Sequence, residues 1–366
     1  MTKTKHGQPT PAAARLRDFL EIRNVGNKGW SVLFGVVMAA CFIGFAISPF
    51  VGWWMPPGLS THAADVDFLF YVILYITTFF FVLTEALIVV FMWRYAGTGD
   101  MKHPVSETAE YPNFLKPLTN ILHDQHRVEM AWTFVPAVIL LYIAFAQVGT
   151  WANIKYQSRK TSQEAKDAAN ALQIGVSARQ FEWRMRYPSA LRFEKWLKDK
   201  GAAKPDFDSF GKVPHADDVY VVNELHIWQD HQVMVHLSTK DVIHSFNLPH
   251  FRVKQDALPG KLIPVWFKTL PESKVKTFNC KWDADKKRYV DGINPDTGKE
   301  DPNYTFDLAC AELCGWGHYR MIGRVFVHQN KDDFTKWLIR AEEYHRQRDG
   351  NWLEKADERI AQMFKK

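Results

Sequence analysis

The chain has 366 residues, of which 47% are hydrophobic, with 46 Lys plus Arg against 40 Asp plus Glu. The small formal charge of +6 is carried by scattered rather than striped basic residues, which argues against nucleic-acid binding, and no nucleotide or phosphate signature stands out. Cys-x-x-Cys-His occurs nowhere, which excludes a covalent c-type haem on this chain.

Length and apolar content would suit two soluble domains, yet the apolar residues are concentrated near the N-terminus. Residues 30–54 carry no charge over 25 positions, residues 68–93 carry only Glu85 over 26, and residues 130–154 carry none over 25. Each run exceeds the roughly 20 residues that cross a bilayer. The sequence therefore predicts a tail at 1–29, a first membrane helix at 30–54 and a membrane hairpin at 68–93 and 130–154. The basic tail followed by an apolar run also fits a secretory signal peptide, with Gly44-Phe-Ala46 as a cleavage site, but both parts are long for one. A retained helix is the favoured reading. Lys and Arg number six in residues 1–29, none in 55–67 and four in 94–128. The positive-inside rule then puts the tail in the cytoplasm and everything after about Ala152 outside. Glu85, a carboxylate deep in an apolar helix, is expected to face another subunit or to be protonated.

Residues 155–171 read as a polar linker. Beyond them, short β-rich runs at 173–177, 180–187, 219–222, 232–237, 242–248, 261–269 and 324–327 predict a sandwich or barrel over 172–330. Two charged insertions, 188–218 and 281–304, read as surface loops. Residues 331–366 form a helical extension, with Phe334, Trp337, Leu338 and Tyr344 at amphipathic spacing.

Residues 310–321 read Cys-Ala-Glu-Leu-Cys-Gly-Trp-Gly-His-Tyr-Arg-Met. Cys310, Cys314, His318 and Met321 share a helical spacing, but Gly315, Gly317 and Gly323 would each cost a helix about 1 kcal/mol, so a loop is expected. Two thiolates, an imidazole and a thioether form a soft donor set that suits copper. A Cys310–Cys314 disulfide would leave His318 and Met321 unexplained, and zinc would not use the Met. His244, in Asp241-Val-Ile-His-Ser-Phe, supplies a second histidine from a strand entering a turn. Cys41 and Cys280 are read as structural.

The Cys-x-Glu-x-Cys-Gly-x-Gly-His-x-x-Met loop and the Asp-Val-x-His-Ser-Phe segment resemble cytochrome c oxidase subunit II. That resemblance implies a membrane-anchored α+β chain: transmembrane helices followed by an extracytoplasmic, cupredoxin-like β-barrel holding a dinuclear copper (CuA) centre. It implies Cys310 and Cys314 as bridging ligands, His244 and His318 as terminal ligands, Met321 as a weak ligand, and the Glu312 carbonyl as another. The Glu312 side chain would also reach a magnesium or manganese at the boundary with the catalytic subunit. Glu129, in the matching stretch from His126 to Pro136, would sit at the mouth of a proton pathway. Implied partners are the haem-copper catalytic subunit I, other oxidase subunits, membrane lipid and a cytochrome c type donor. The location would be a bacterial inner membrane, with the copper domain on the periplasmic side.

Electron uptake is expected through Phe181 and Trp183. At the first of these many members carry tryptophan, whereas the Phe181 ring here is harder to oxidise and has no N–H. Residues 151–366 hold 36 Lys plus Arg against 30 Asp plus Glu, which favours an acidic or membrane-held donor, although Asp206, Asp208, Asp217 and Asp218 form a local acidic patch. The competing readings are a nitric oxide reductase subunit, a copper-free quinol oxidase subunit and a tethered copper carrier.

Overall fold

The structure is a computed structural model that describes residues 11–51, 53–94, 125–156, 167, 170–198, 213–346 and 351–364. Residues 1–10 and 95–124, most of 155–171 and the stretch at 199–212, which includes Asp206 and Asp208, lie outside the described residues. The chain divides into two compact units, residues 1–55 with 69–146 and residues 56–68 with 147–366.

The first unit is built from three long helices, α1 (Pro11–Ile47), α2 (Ala63–Arg94) and α3 (Gln125–Tyr156); the first residues of α2 and the last of α3 belong to the second unit. Each contains a stretch long and apolar enough to cross a membrane, at Gly29–Ile47, Ala63–Trp93 and Val128–Lys155. Helical backbone thus begins inside the 1–29 tail, and α1 stops before Trp54 because Pro49 disfavours a helical conformation at Ser48. Hardly any of these stretches is buried within the chain, so their Leu, Ile, Val and Phe side chains are left for lipid or neighbouring subunits. Helices α1 and α2 touch where small residues allow it. Ser31 Oγ donates to the Val89 carbonyl at 3.0 Å, and Gly35 lies against the Val89 side chain. A Glu85 carboxylate oxygen has no hydrogen-bond partner among the described residues.

The second unit is built on two five-stranded sheets enclosing one core. One contains β1 (Leu172–Arg179), β2 (Glu182–Tyr187), β3 (Val219–Val222), β5 (Gln232–Thr239) and β8 (Ile263–Lys268), in the order β3-β2-β1-β5-β8. The other runs β4-β12-β11-β6-β7, with β4 (Glu224–Trp228), β6 (His244–Leu248), β7 (Val253–Ala257), β11 (Phe306–Cys310) and β12 (Ile322–His328). The period-2 pattern is plain in β2, where Trp183, Met185 and Tyr187 point inward, and in β5, where Val233, Val235 and Leu237 do. Residues 56–68 are stitched to this unit. The Arg252 guanidinium donates to Asp67 at 2.7 and 3.2 Å and to the Pro56 carbonyl at 2.6 Å.

Both insertions carry structure that sequence reading assigned to loops. Within 188–218, α4 (Ala190–Lys198) buries Ala190 and Phe193, one turn apart, against the core. Within 281–304, β9 (Lys281–Asp283) and β10 (Arg288–Val290) form a hairpin whose turn is tied by Asp283 Oδ1 accepting from the backbone of Asp285 and Lys286. Both elements are short and rich in charge, and only the two core-facing positions of α4 mark it out from its charged surroundings. The C-terminal extension is two helices, α5 (Lys331–Arg346) and α6 (Trp352–Met363).

Where α5 meets the barrel, a chain of polar groups is buried. Tyr289 Oη donates to Asp333 Oδ1 at 3.1 Å, Asp333 Oδ2 meets His328 Nδ1 at 2.8 Å, and His328 Nε2 meets His226 Nδ1 at 3.0 Å. The His226 ring is sandwiched between Phe326 at 4.3 Å and Trp337 at 3.9 Å. Burial holds His226 well below its ordinary value, lowers His328 against the pull of Asp333, and brings His231 down to about 4. The folded protein therefore binds fewer protons than the unfolded chain, whose histidines titrate near 6.5. Their stabilisation is complete above about pH 6.5 and is lost as the pH falls toward about 4. The thermal midpoint of the metal-free protein, followed by circular dichroism, is expected to drop between about pH 7.5 and pH 5; a constant midpoint would mean that these imidazoles are charged or hydrated in the fold.

Candidate metal centre

Three adjacent central strands deliver the candidate ligands to one end of the second sheet. β11 pairs antiparallel with β6, Cys310 opposite Phe246, so His244 and Cys310 end side by side. β11 also pairs with β12, and the Cys310 N–H donates to the Met321 carbonyl at 3.1 Å, which places the residue just before β12 over the same spot. The intervening residues form a loop, as expected, closed by one 3-10 turn at His318–Arg320.

The side chains converge. Cys310 Sγ lies 3.9 Å from Cys314 Sγ and 3.8 Å from His244 Nδ1, while Cys314 Sγ lies 3.6 Å from His318 Nδ1 and 4.0 Å from Met321 Sδ. The Glu312 carbonyl oxygen is 3.3 Å from Cys310 Sγ, and the glutamate side chain points to the exterior. A sulfur separation of 3.9 Å is nearly twice a disulfide bond, so these cysteines are thiols. Burial and the neighbouring Cys310 push the Cys314 thiol above its usual value, so a thiolate pair here calls for a bound cation.

The imidazole of His244 is oriented by a residue whose role was not read from the sequence. Asp241 Oδ1 sits 2.8 Å from His244 Nε2, a contact that keeps the proton on Nε2 and leaves the Nδ1 lone pair facing the sulfurs. Asp241 is itself held by the backbone N–H groups of Gln180 and Val242, each at 2.7 Å. Burial alone would raise its carboxyl, but these hydrogen bonds outweigh it and keep the group below the ordinary aspartate value. The signal was present as the Asp three residues before His244, in a segment used only as a motif.

Aromatic residues close the site. Trp183 is wholly buried, 6.3 Å from the His244 ring, and its Nε1–H donates to the Met321 carbonyl at 3.4 Å. It is a wall of the site rather than a surface group. Phe181 lies under the loop. A side chain at Gly317 would meet its ring at 2.4 Å, so glycine is required there, and Gln180 Nε2 donates to the Cys314 carbonyl at 2.6 Å. Glu129 belongs to the first unit, exposed near the start of α3. Elsewhere Cys280, His328 and Asp333 also cluster, yet the Cys280 thiol donates to the Val327 carbonyl and both His328 nitrogens are engaged, so that group is hydrogen-bonded without a metal.

Residues 48–148 match the family described as cytochrome C oxidase subunit II, transmembrane domain, and residues 172–281 match its periplasmic domain. The chain belongs to the cytochrome c oxidase subunit II family. The cytochrome c oxidase subunit 2 of Thermostichus vulcanus is 26% identical over 84% of this chain and 84% of its own length. An alternative cytochrome c oxidase subunit 2 from Bradyrhizobium diazoefficiens is 29% identical over 46% of this chain and 51% of its own. The solved periplasmic domain of subunit II of cytochrome oxidase of Bradyrhizobium japonicum aligns at 22% identity and a TM-score of 0.29, covering 47% of this chain and 94% of that one. The chain is thus a subunit of an oxidoreductase, with N-terminal apolar helices followed by a cupredoxin-like sheet domain of the CuA type. The periplasmic match ends where the β9–β10 hairpin begins, so the cysteine loop was identified from its residues and geometry.

The donor set fits copper: two cysteine sulfurs, two imidazole Nδ1 atoms facing them, a thioether and a wall of buried aromatics. Asp241→Ala is expected to weaken copper binding about 10–100-fold, the usual loss when a ligand's orienting partner is removed. Chelator competition measures this, and an unchanged affinity would show that Asp241 does not set the imidazole.

Proposed function

We propose that this chain is the electron-accepting subunit of a haem-copper oxidase, holding a dinuclear copper centre and passing electrons to the catalytic subunit for reduction of oxygen to water. The observation that carries the reading is the convergence of two thiols, two imidazole Nδ1 atoms and a thioether at separations of 3.6–4.0 Å. In this assignment two coppers would be held by the Cys310 and Cys314 thiolates and the His244 and His318 imidazoles, with Met321 and the Glu312 carbonyl as weaker ligands. When bound, the metal pair supplies a site that gains or loses one electron shared across both ions, with little movement. The chain's own work is to prevent that movement: Asp241 fixes one imidazole, strands β11 and β12 fix Cys310 and Met321, and buried Trp183 excludes water from the His244 side. The Glu312 side chain, directed outward, is assigned to a magnesium or manganese shared with the catalytic subunit.

The helices support insertion as a three-span anchor in a bacterial inner membrane, with the copper domain on the periplasmic side. The donor is a cytochrome c type protein. Glu129, at the cytoplasmic end of α3, is assigned to the mouth of a proton pathway, since it is exposed one turn into the helix, at the edge of its apolar span.

Two measurements test this reading. The purified, copper-loaded protein is expected to contain two coppers per chain and to show a delocalised mixed-valence paramagnetic resonance signal; one copper, zinc, or a disulfide in their place would refute it. In the assembled oxidase, Glu129→Ala is expected to lower turnover and proton translocation about 10²-fold, the lower end of what a positioned proton-transfer group contributes. Unaltered turnover and pumping would remove Glu129 from the pathway.

A further inference from the structure

The loop that holds the ligands also presents a side chain that the copper site does not use. Trp316 stands two residues from Cys314 and two from His318, yet it is 75% exposed, and Leu313 and Tyr319 beside it are exposed at 80% and 68%. Three of the ligands are turned the other way: His244, Cys314 and Met321 are buried. The Trp316 ring is not loose. It meets Phe181 edge to face at 5.2 Å, and Phe181 is itself pinned beneath Gly315 and Gly317. From the other side the Arg320 guanidinium lies 5.1 Å from the Trp316 ring and 5.6 Å from that of Tyr319, with its Nε–H donating to Tyr319 Oη at 2.9 Å. The result is a preorganised apolar and aromatic patch with a cation set into it, on the rim of a buried redox site. Exposed, rigidly held tryptophan with an adjacent arginine is the composition of a binding hot spot.

We propose that Trp316 is the anchor on which the electron donor seats and through which the electron is taken up, and that the donor is a c-type cytochrome whose exposed haem edge is ringed by carboxylates. This rests on the copper reading above. Phe181, where the family resemblance placed uptake, supports Trp316 from below and is partly covered by the loop. Indole is more readily oxidised than a phenyl ring, and from it the backbone leads through Gly315 to one ligand and through Gly317 to another. Arg320 decides the sign of the partner. A carboxylate rim pairs with the guanidinium while the haem edge meets the ring, and a lysine rim would be repelled. The excess of Lys plus Arg over Asp plus Glu in residues 151–366, 36 against 30, acts in the same direction at longer range. In the step itself one electron leaves the ferrous haem, which becomes ferric, and the oxidised copper pair is reduced by one; no bond is made or broken and no proton moves.

The test uses the assembled, copper-loaded oxidase with two reductants: a soluble acidic c-type cytochrome, and hexaammineruthenium(II), which needs no docking. Trp316→Ala is expected to slow reduction by the cytochrome about 30-fold or more, the loss typical of a hot-spot aromatic. It should weaken binding of the redox-inert zinc-porphyrin form of that cytochrome by a similar factor. Reduction by hexaammineruthenium(II) and the optical and paramagnetic resonance spectra should be unaltered. Arg320→Glu should slow the acidic cytochrome, with the difference from the unaltered protein shrinking as salt rises. Where Trp316→Ala disturbs the copper spectrum, Trp316→Phe, which keeps the contact with Phe181, is read instead and should still slow uptake. Unaltered cytochrome reduction and binding in these variants, or a basic cytochrome that reduces the site faster than the acidic one, would overturn the proposal. So would normal uptake combined with slowed transfer to the catalytic subunit, because the patch would then belong to that interface. Absence of the mixed-valence signal in the unaltered protein, seen before any donor is added, would refute the copper reading itself.

Discussion

The site depends on the pairing of β11 with both β6 and β12. Because Cys310 lies opposite Phe246 and its N–H reaches the Met321 carbonyl, the termini of three central strands meet at one end of the sheet. A one-residue slip of β11 would turn the Cys310 side chain to the other face, since side chains alternate along a strand. The slip is opposed by the inward side chains of the same strand, Phe306 and Leu308, which are buried in the core. Core formation and ligand alignment are therefore one event.

The remaining ligands come from the loop, which has no regular backbone to hold it. It is held by what lies under and beside it. Phe181 fills the space left by the missing side chains of Gly315 and Gly317, Gln180 bonds to the Cys314 carbonyl, and Trp183 bonds to the Met321 carbonyl. All three come from the β1–β2 turn and the start of β2, in the opposite sheet. Asp241 joins the same turn to His244. The centre is thus clamped between the two sheets.

At α5 the barrel is closed by different means. There the buried chain from Tyr289 through Asp333 and His328 to His226 ties the β9–β10 hairpin, α5, β12 and β4 together. Ion pairs of Arg359 with Glu342 and Glu343 then fasten α6 to α5. The insertion and the C-terminal helices thereby cover the core with structure rather than with loose loops.

Much of this was legible along the chain because the information was local. Charge-free runs longer than a bilayer announce helices whatever surrounds them, and a donor set of two Cys, His and Met within twelve residues announces a soft metal through its chemistry alone. Strands with clear alternation, such as β2 and β5, could be read in the same way. Elements β4, β7, β9, β10, β11 and α4 could not: each is short, and for β4 and β11 the pairing partners lie far away in sequence, as when β4 pairs with β12 about 100 residues later. The roles of individual residues divide similarly. The sequence by itself determined which atoms are available as ligands and which segments are apolar, for these follow from composition and spacing. Only the tertiary structure decided that Asp241 orients His244, that Trp183 is a buried wall, that Phe181 lies beneath the loop and that Trp316 faces outward, because burial and hydrogen-bond partners belong to contacts between strands that the linear order leaves apart.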